Sequence, residues 1–471
     1  LEKKVINLFV EIVGKENVKY STAQLLAYSY DATANFQALP DIVVSPHNTE
    51  EIRQIVKVCN EFEIPIVPRG SGSNLAAGTV PNQGGVVLLF NNMNKIIEFD
   101  KENLTITVQP GMITADICNF VENENLFYPP DPSSMKISTI GGNISENSGG
   151  LRGLKYGVTK DYVKGLTVVL ANGEILKTGG KLAKDVAGYD LTALLVSSEG
   201  TLGIITEITL KLIPLPKNKM TSIAYFHSLE AAAETVSTII ANKIIPVTLE
   251  FLDKRTIEAV EQFMKIGLST EVEAMLIFEQ DGEIAQVKSD IEKMTQIAKL
   301  NGAIFTQIAT DEIEAEKLKT ARRIALSALS KLRPTIILED ATVPRSEIAE
   351  MVRIINQIAN KYHLTIATFG HAGDGNLHPT CLTDVRDKEE MERVEKAFEE
   401  IFEAAISLGG TISGEHGIGE MKAPYLEWKV GAVGIELMKG IKAVFDPKNI
   451  MNPGKVFAKE TKKRVVVQSG Q

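Results

Sequence analysis

The chain has 471 residues, enough for more than one domain, and an ordinary apolar content of 44%. Its 50 Lys plus Arg stand against 60 Asp plus Glu, with no basic stripe, which argues against a nucleic-acid partner. Cys59, Cys118 and Cys381 are far apart with no C-x-x-C pair, which disfavours a disulfide scaffold, a zinc ribbon and a Cys-ligated iron–sulfur cluster.

Apolar runs are too short to span a bilayer, and the start Leu-Glu-Lys-Lys lacks a signal-peptide h-region, so a soluble cytoplasmic protein with no membrane span is expected. Residues 1–35 read as a helical lead-in, with Val5, Leu8, Phe9, Ile12 and Val13 at helical spacing and Gly14 ending the run. Strand 41–45, helix 49–62 and strand 64–67 form a βαβ opening, and Cys59 falls on the helix's apolar face.

Glycine then clusters. Pro68-Arg-Gly-Ser-Gly-Ser-Asn74 follows a strand, where backbone N–H groups can converge on phosphate. Leu75 fills the third glycine place of a Rossmann fingerprint, so this stretch is not one. Ser138 to Gly150 crowds glycine, Ser and Asn where backbone can press against a flat or phosphorylated ligand. Strands 166–170 and 175–178 flank a hairpin turn at Asn172-Gly173, and Ser198 to Leu210 is a glycine turn feeding a β-rich run. These clusters suggest one large extended ligand across a β-rich domain.

Pro214-Leu-Pro216 marks a boundary. Beyond it strands (220–226, 247–252, 274–278) alternate with helices (231–242, 283–300, 345–362 capped by Ser346, and 388–408 stopping at Gly409-Gly410), an α+β pattern. The centre of the chain is Phe369-Gly-His-Ala-Gly-Asp-Gly-Asn-Leu-His378. A strand, a glycine turn and a second strand would bring His371 and His378 to one mouth. Gly414-Glu-His-Gly-Ile-Gly419 adds a carboxylate and another imidazole. Two His and a Glu are the ligand set of an open metal site, which leaves His416 beside it to move protons. Trp428 reads as a core anchor, Lys422 as a solvated lysine, and the tail from Lys459 as frayed.

Taken together, Pro68–Asn74, Thr139-Ile-Gly-Gly-Asn143, Glu199-Gly-Thr-Leu-Gly-Ile-Ile205, the 371–378 motif, Gly414–Gly419 and Asn452-Pro-Gly-Lys455 resemble the FAD-linked 2-hydroxy-acid dehydrogenases. These are D-lactate dehydrogenase, the glycolate oxidase FAD subunit and D-2-hydroxyglutarate dehydrogenase, within the vanillyl-alcohol oxidase / p-cresol methylhydroxylase superfamily. The resemblance runs from about residue 36 to 457. It implies an α+β chain: a two-subdomain FAD-binding domain of p-cresol-methylhydroxylase type over 36–217, an α+β cap domain with a mainly antiparallel sheet over 218–425, and a segment 426–471 returning to the FAD domain.

By the same resemblance, Pro68, Arg69, Gly70, Ser71, Gly72, Ser73 and Asn74 cradle the FAD pyrophosphate. Ser134, Thr139, Gly142, Ser145, Gly149, Ile205 and Asn452 make further FAD contacts. Relatives with covalent flavin carry a His at the place of Ser73, so non-covalent FAD is expected. His371, His378 and Glu415 match a divalent-metal set (Zn, Fe or Mn), His416 the catalytic base, and Arg322 the carboxylate clamp, with Arg323 the alternative register. The implied reaction is oxidation of a small D-2-hydroxy acid, D-lactate first, with electrons passed to a partner such as an electron-transferring flavoprotein. The alternatives are a glycolate or D-2-hydroxyglutarate dehydrogenase, a metal-dependent hydrolase, and a flavin-binding structural subunit.

Overall fold

The computed structural model describes residues 1–457; the expected frayed tail lies outside them. The described chain forms two compact units. Unit 1 holds Leu1–Ser148, Val158–Leu215 and the chain from Glu415 onward; unit 2 holds Gly149–Gly157 and Pro216–Gly414. The return to unit 1 thus begins before residue 426, and the nine-residue stretch from Gly149 folds with unit 2.

In unit 1 the lead-in helix Lys3–Val13 buries Val5, Phe9 and Val13, one stripe four residues apart, and Gly14 ends it at φ 85. That stripe packs with Ile52, Ile55, Val56 and Cys59 of the helix Thr49–Phe62. Full burial of a side chain such as Phe9 stabilises by about 1.5–3 kcal/mol. Asn48 caps the second helix by accepting from the Glu51 N–H. The expected βαβ unit is present: Ile42–Val44 and Ile66–Arg69 both pair in parallel with Val86–Leu89, which lies between them. All four residues of that central strand are buried, as a parallel strand covered on both faces requires. A five-stranded antiparallel sheet follows, in the order Ile96–Asp100, Thr105–Val108, Ile204–Lys211, Val163–Val169, Ile175–Gly179.

Unit 2 is built on an eight-stranded sheet whose pairings among the described residues are antiparallel. Two apolar cores sandwich it. Leu249, Phe251, Ile366, Leu377 and Cys381 belong to one, under helices Leu229–Ala241, Ile284–Leu300, Ile348–Lys361 and Lys388–Ser407. Leu252, Ala367, Phe369 and Leu382 belong to the other, under Lys254–Met264, Glu312–Arg323 and Ala325–Leu329. Because side chains alternate along a strand, that second parity also sends Glu250, His371 and His378 to the face under Glu312–Arg323.

Three local expectations need correction. The helix expected from 345 opens as a 3-10 turn after Pro344. Its α part starts at Ile348 with no side-chain cap, and the Ser346 hydroxyl donates to Glu347 Oε1 at 3.0 Å instead. Trp428 is 38% exposed and meets Tyr425 edge-on at 4.9 Å, since the helix Leu426–Phe445 buries only Leu426 and breaks at Gly431. Lys422 is buried at 1% exposure, near the carboxylates of Glu146 and Glu199 that offset its charge.

Candidate active site

Unit 1 carries a cavity of about 60 Å³ that opens to solvent. Of the residues expected to contact FAD, Pro68, Arg69, Gly70, Thr139, Gly142, Ser145, Ile205 and Asn452 line it. The strand Ile66–Arg69 delivers the first of these at its end, and Thr139 begins the short helix Ile140–Glu146, where its hydroxyl accepts from the Gly142 N–H. Gly70 is required: a Cβ there would meet Thr139 Oγ1 at 2.2 Å. Asn452 ties two walls together, donating to the carbonyls of Gly78 and Glu199 at 3.0 and 2.7 Å.

Ser71, Gly72, Ser73, Asn74 and Ser134 do not line this cavity. Asn74 folds its own loop, accepting from the Ala76 and Gly78 N–H groups at 2.8 and 2.7 Å. The Ser134 carbonyl closes a turn with the Ile137 and Ser138 N–H groups. Gly149 lies in unit 2. A wall of glycine backbone and small hydroxyl residues, with the buried Arg69 guanidinium, fits a large, flat, phosphorylated ligand.

Glu146 and Glu199, which the sequence reading passed over, also line the cavity. Burial pushes the Glu146 carboxyl well above the usual carboxylate range, and the neighbouring Glu199 and Asp31 push it further. Glu199 is raised by burial too, although it accepts from the Ile418 and Gly419 N–H groups at 2.7 and 2.6 Å.

Unit 2 carries His371 and His378. Strands Thr365–His371 and Asn376–Thr383 form the expected hairpin, with His371 opposite Asn376 and Phe369 opposite His378. The imidazole centroids are 5.3 Å apart, and ligand nitrogens of the two rings lie within 4.8 Å of one another. Each ring has a carboxylate behind it. His371 Nδ1 is 2.8 Å from Glu250 Oε1, and His378 Nδ1 is 3.2 Å from Asp340 Oδ1. Glu250 is buried, which raises its carboxyl, but His371 and Arg322 outweigh that and hold it below the usual range. All four side chains are buried.

Arg322 settles against this cluster. Its Nε is 2.5 Å from Glu250 Oε2 and its guanidinium stacks 4.8 Å from the Phe369 ring centre, while Nη2 has no hydrogen bond. Arg323 turns to Glu316 instead, at 3.6 Å. The Asp340 Oδ2 accepts from the Gly414 N–H at 3.1 Å and from the Ser413 hydroxyl at 3.3 Å. Glu415 and His416 are the next residues, the first of the returning segment, with His416 Nε2 3.6 Å from Glu415 Oε1. Glu250 and Asp340 were missed in the sequence. The one available signal was an acidic residue inside the apolar run Thr248-Leu-Glu-Phe-Leu252, and an acidic pair closing Ile336-Ile-Leu-Glu-Asp340.

The fold has a solved counterpart. The structure of p-cresol methylhydroxylase with substrate bound superposes with a TM-score of 0.80 at 20% identity, covering 97% of this chain and 96% of that one. A family model for the FAD binding domain matches residues 40–179, and one for the FAD linked oxidases, C-terminal domain, matches 215–456. The chain is 63% identical to the glycolate oxidase subunit GlcD of Bacillus subtilis, over 99% of this chain and 100% of that protein. It is 38% identical to a D-lactate dehydrogenase of Anaerostipes hadrus, over 92% and 93%. This chain belongs to the FAD-linked oxidases and is an FAD-dependent oxidoreductase. The hydrolase alternative gains no support from these comparisons.

Proposed function

We propose that the chain oxidises a small 2-hydroxy monocarboxylic acid, glycolate or D-lactate, to the 2-keto acid. The names of its relatives support both substrates. The observation that carries the reading is the histidine hairpin, with a buried carboxylate oxygen 2.8 Å from one Nδ1 and 3.2 Å from the other. Such backing is the usual second layer of a metal site. Neutral imidazoles and a carboxylate suit zinc, iron or manganese. His371, His378 and Glu415 would hold the ion. Glu415 lies one Cα–Cα step, about 3.8 Å, beyond Gly414, whose N–H is fixed on Asp340.

A divalent ion, when bound, lowers the pKa of a coordinated hydroxyl. Bound FAD would supply the acceptor for the hydride that leaves C2. The protein does the rest. Arg322 would hold the substrate carboxylate through Nη2, which makes no hydrogen bond to the protein, and so fix C2. His416 takes the hydroxyl proton. Ser71, Gly72, Ser73 and Asn74 continue the loop that leaves the cavity at Gly70, and a serine at 73 offers no covalent attachment to flavin. Cys59, Cys118 and Cys381 are each buried and far apart in sequence, which suits electron transfer to a partner such as an electron-transferring flavoprotein better than a cysteine-held cluster. The site of action is the cytoplasm; among the described residues no helix is long and apolar enough to cross a membrane.

A substrate panel with a dye acceptor tests the reading. Turnover with glycolate or D-lactate is expected, faster with the partner than with oxygen. Turnover with neither acid, in flavin-loaded and metal-loaded protein, would remove it.

A further inference from the structure

We infer that Glu250 and Asp340 are positioning residues, each tying one imidazole of the hairpin to a second working element. The inference rests on the metal reading above. Glu250 divides its oxygens: Oε1 lies 2.8 Å from His371 Nδ1 and Oε2 lies 2.5 Å from Arg322 Nε. Asp340 does likewise: Oδ1 lies 3.2 Å from His378 Nδ1, and Oδ2 receives the Gly414 N–H and the Ser413 hydroxyl. Glu250 thereby joins the hairpin to the helix Glu312–Arg323, and Asp340 joins it to the residues immediately before Glu415 and His416.

Each arrangement has a chemical consequence. A carboxylate hydrogen-bonded to Nδ1, as Glu250 is to His371, keeps the proton on that nitrogen and leaves the Nε2 lone pair for a metal, while Asp340 stands beside His378 Nδ1 as a charge neighbour. The second oxygen then sets something else. For Glu250 it is the direction of the carboxylate clamp. For Asp340 it is the backbone that delivers the third ligand and the base. Buried acids are costly, and replacing a buried ion pair by apolar groups is often neutral for stability. Two such acids, 1% and 0% exposed, each placed on two functional groups at once, are explained by positioning rather than by packing.

The two roles separate in kinetics. Metal content of the purified flavin-loaded protein is measured first, and affinity for the metal found is then measured by competition with a chromophoric chelator. Steady-state rates with glycolate and D-lactate follow at saturating metal. Glu250→Gln is expected to weaken metal binding about 10–100-fold and to raise KM about tenfold or more, with a smaller change in kcat. Asp340→Asn is expected to weaken metal binding similarly but to lower kcat, leaving KM nearly unchanged. Retention of flavin absorbance reports folding of each variant. Should Glu250→Gln fold poorly, the double variant with Arg322→Met removes both charges together. Its KM should match that of Arg322→Met alone, because the two residues act as one unit. Wild-type protein that carries and takes up no metal would defeat the underlying reading. Metal-binding wild type with a Glu250→Gln variant of unchanged affinity and KM, or with KM effects that add to those of Arg322→Met, would overturn this inference alone.

Discussion

His416 is the residue on which the proposed chemistry turns. With Glu415 it follows directly on a backbone amide held by Asp340, and in the proposed chemistry it is the group that accepts the substrate proton. Its replacement by alanine should lower kcat on the order of 10²–10⁴-fold while flavin content stays normal. Stopped-flow reduction of the flavin checks this, and near-normal rates would remove His416 from the role. A second expectation concerns Glu146. Burial raises its carboxyl, so the folded chain holds a proton there that the unfolded chain has released. Stability contributed by that proton is present at low pH and declines as pH rises above the ordinary Glu range of about 4.3. Glu146→Gln should therefore show a shallower fall of Tm between mildly acidic and mildly alkaline pH than wild type, and equal slopes would contradict the assignment. At this scale the sequence revealed the histidines, because they are rare and set among glycines. It concealed Glu250, Asp340 and Glu146, because an acid among apolar residues is legible only once strand parity and burial are known.

The hairpin is the element that brings His371 and His378 together. Its strands read clearly from β-forming residues on each side of a glycine turn, and pairing Phe369 with His378 brings both rings to one face. The turn depends on Gly375, which sits at φ 87 and where a Cβ would meet the Val343 carbonyl oxygen at 2.1 Å. Gly375→Ala should cost about 1–3 kcal/mol or more and loosen metal binding; thermal denaturation and chelator competition measure both, and an unchanged Tm would show the turn to be tolerant. Helix ends were less legible. Ser346 has the composition of a cap, but Pro344 leads into a 3-10 turn that moves the helix start two residues past it. Trp428 misled for a similar reason: an aromatic on an apolar helix suggests a core, yet the helix Leu426–Phe445 leaves most of its length exposed.

For the whole molecule, the glycine-lined cavity belongs to unit 1 and the histidine hairpin to unit 2, and the peptide between Gly414 and Glu415 is where the chain passes from one to the other. The motif order carried the family and the architecture, since each glycine cluster holds a backbone approach that few other residues permit. The choice between glycolate and D-lactate was not legible, because it rests on side-chain contacts at C3 that no motif records. Metal removal distinguishes the two units chemically: a chelator should abolish turnover and leave the bound flavin in place, with activity restored by adding the metal back. The most direct measurement is an anaerobic titration of the purified protein with glycolate and with D-lactate, following flavin absorbance before and after chelation. The account predicts bleaching by at least one of the two acids, lost on chelation and regained with metal. Bleaching that proceeds equally well without metal, or in a His371→Ala variant, would contradict it.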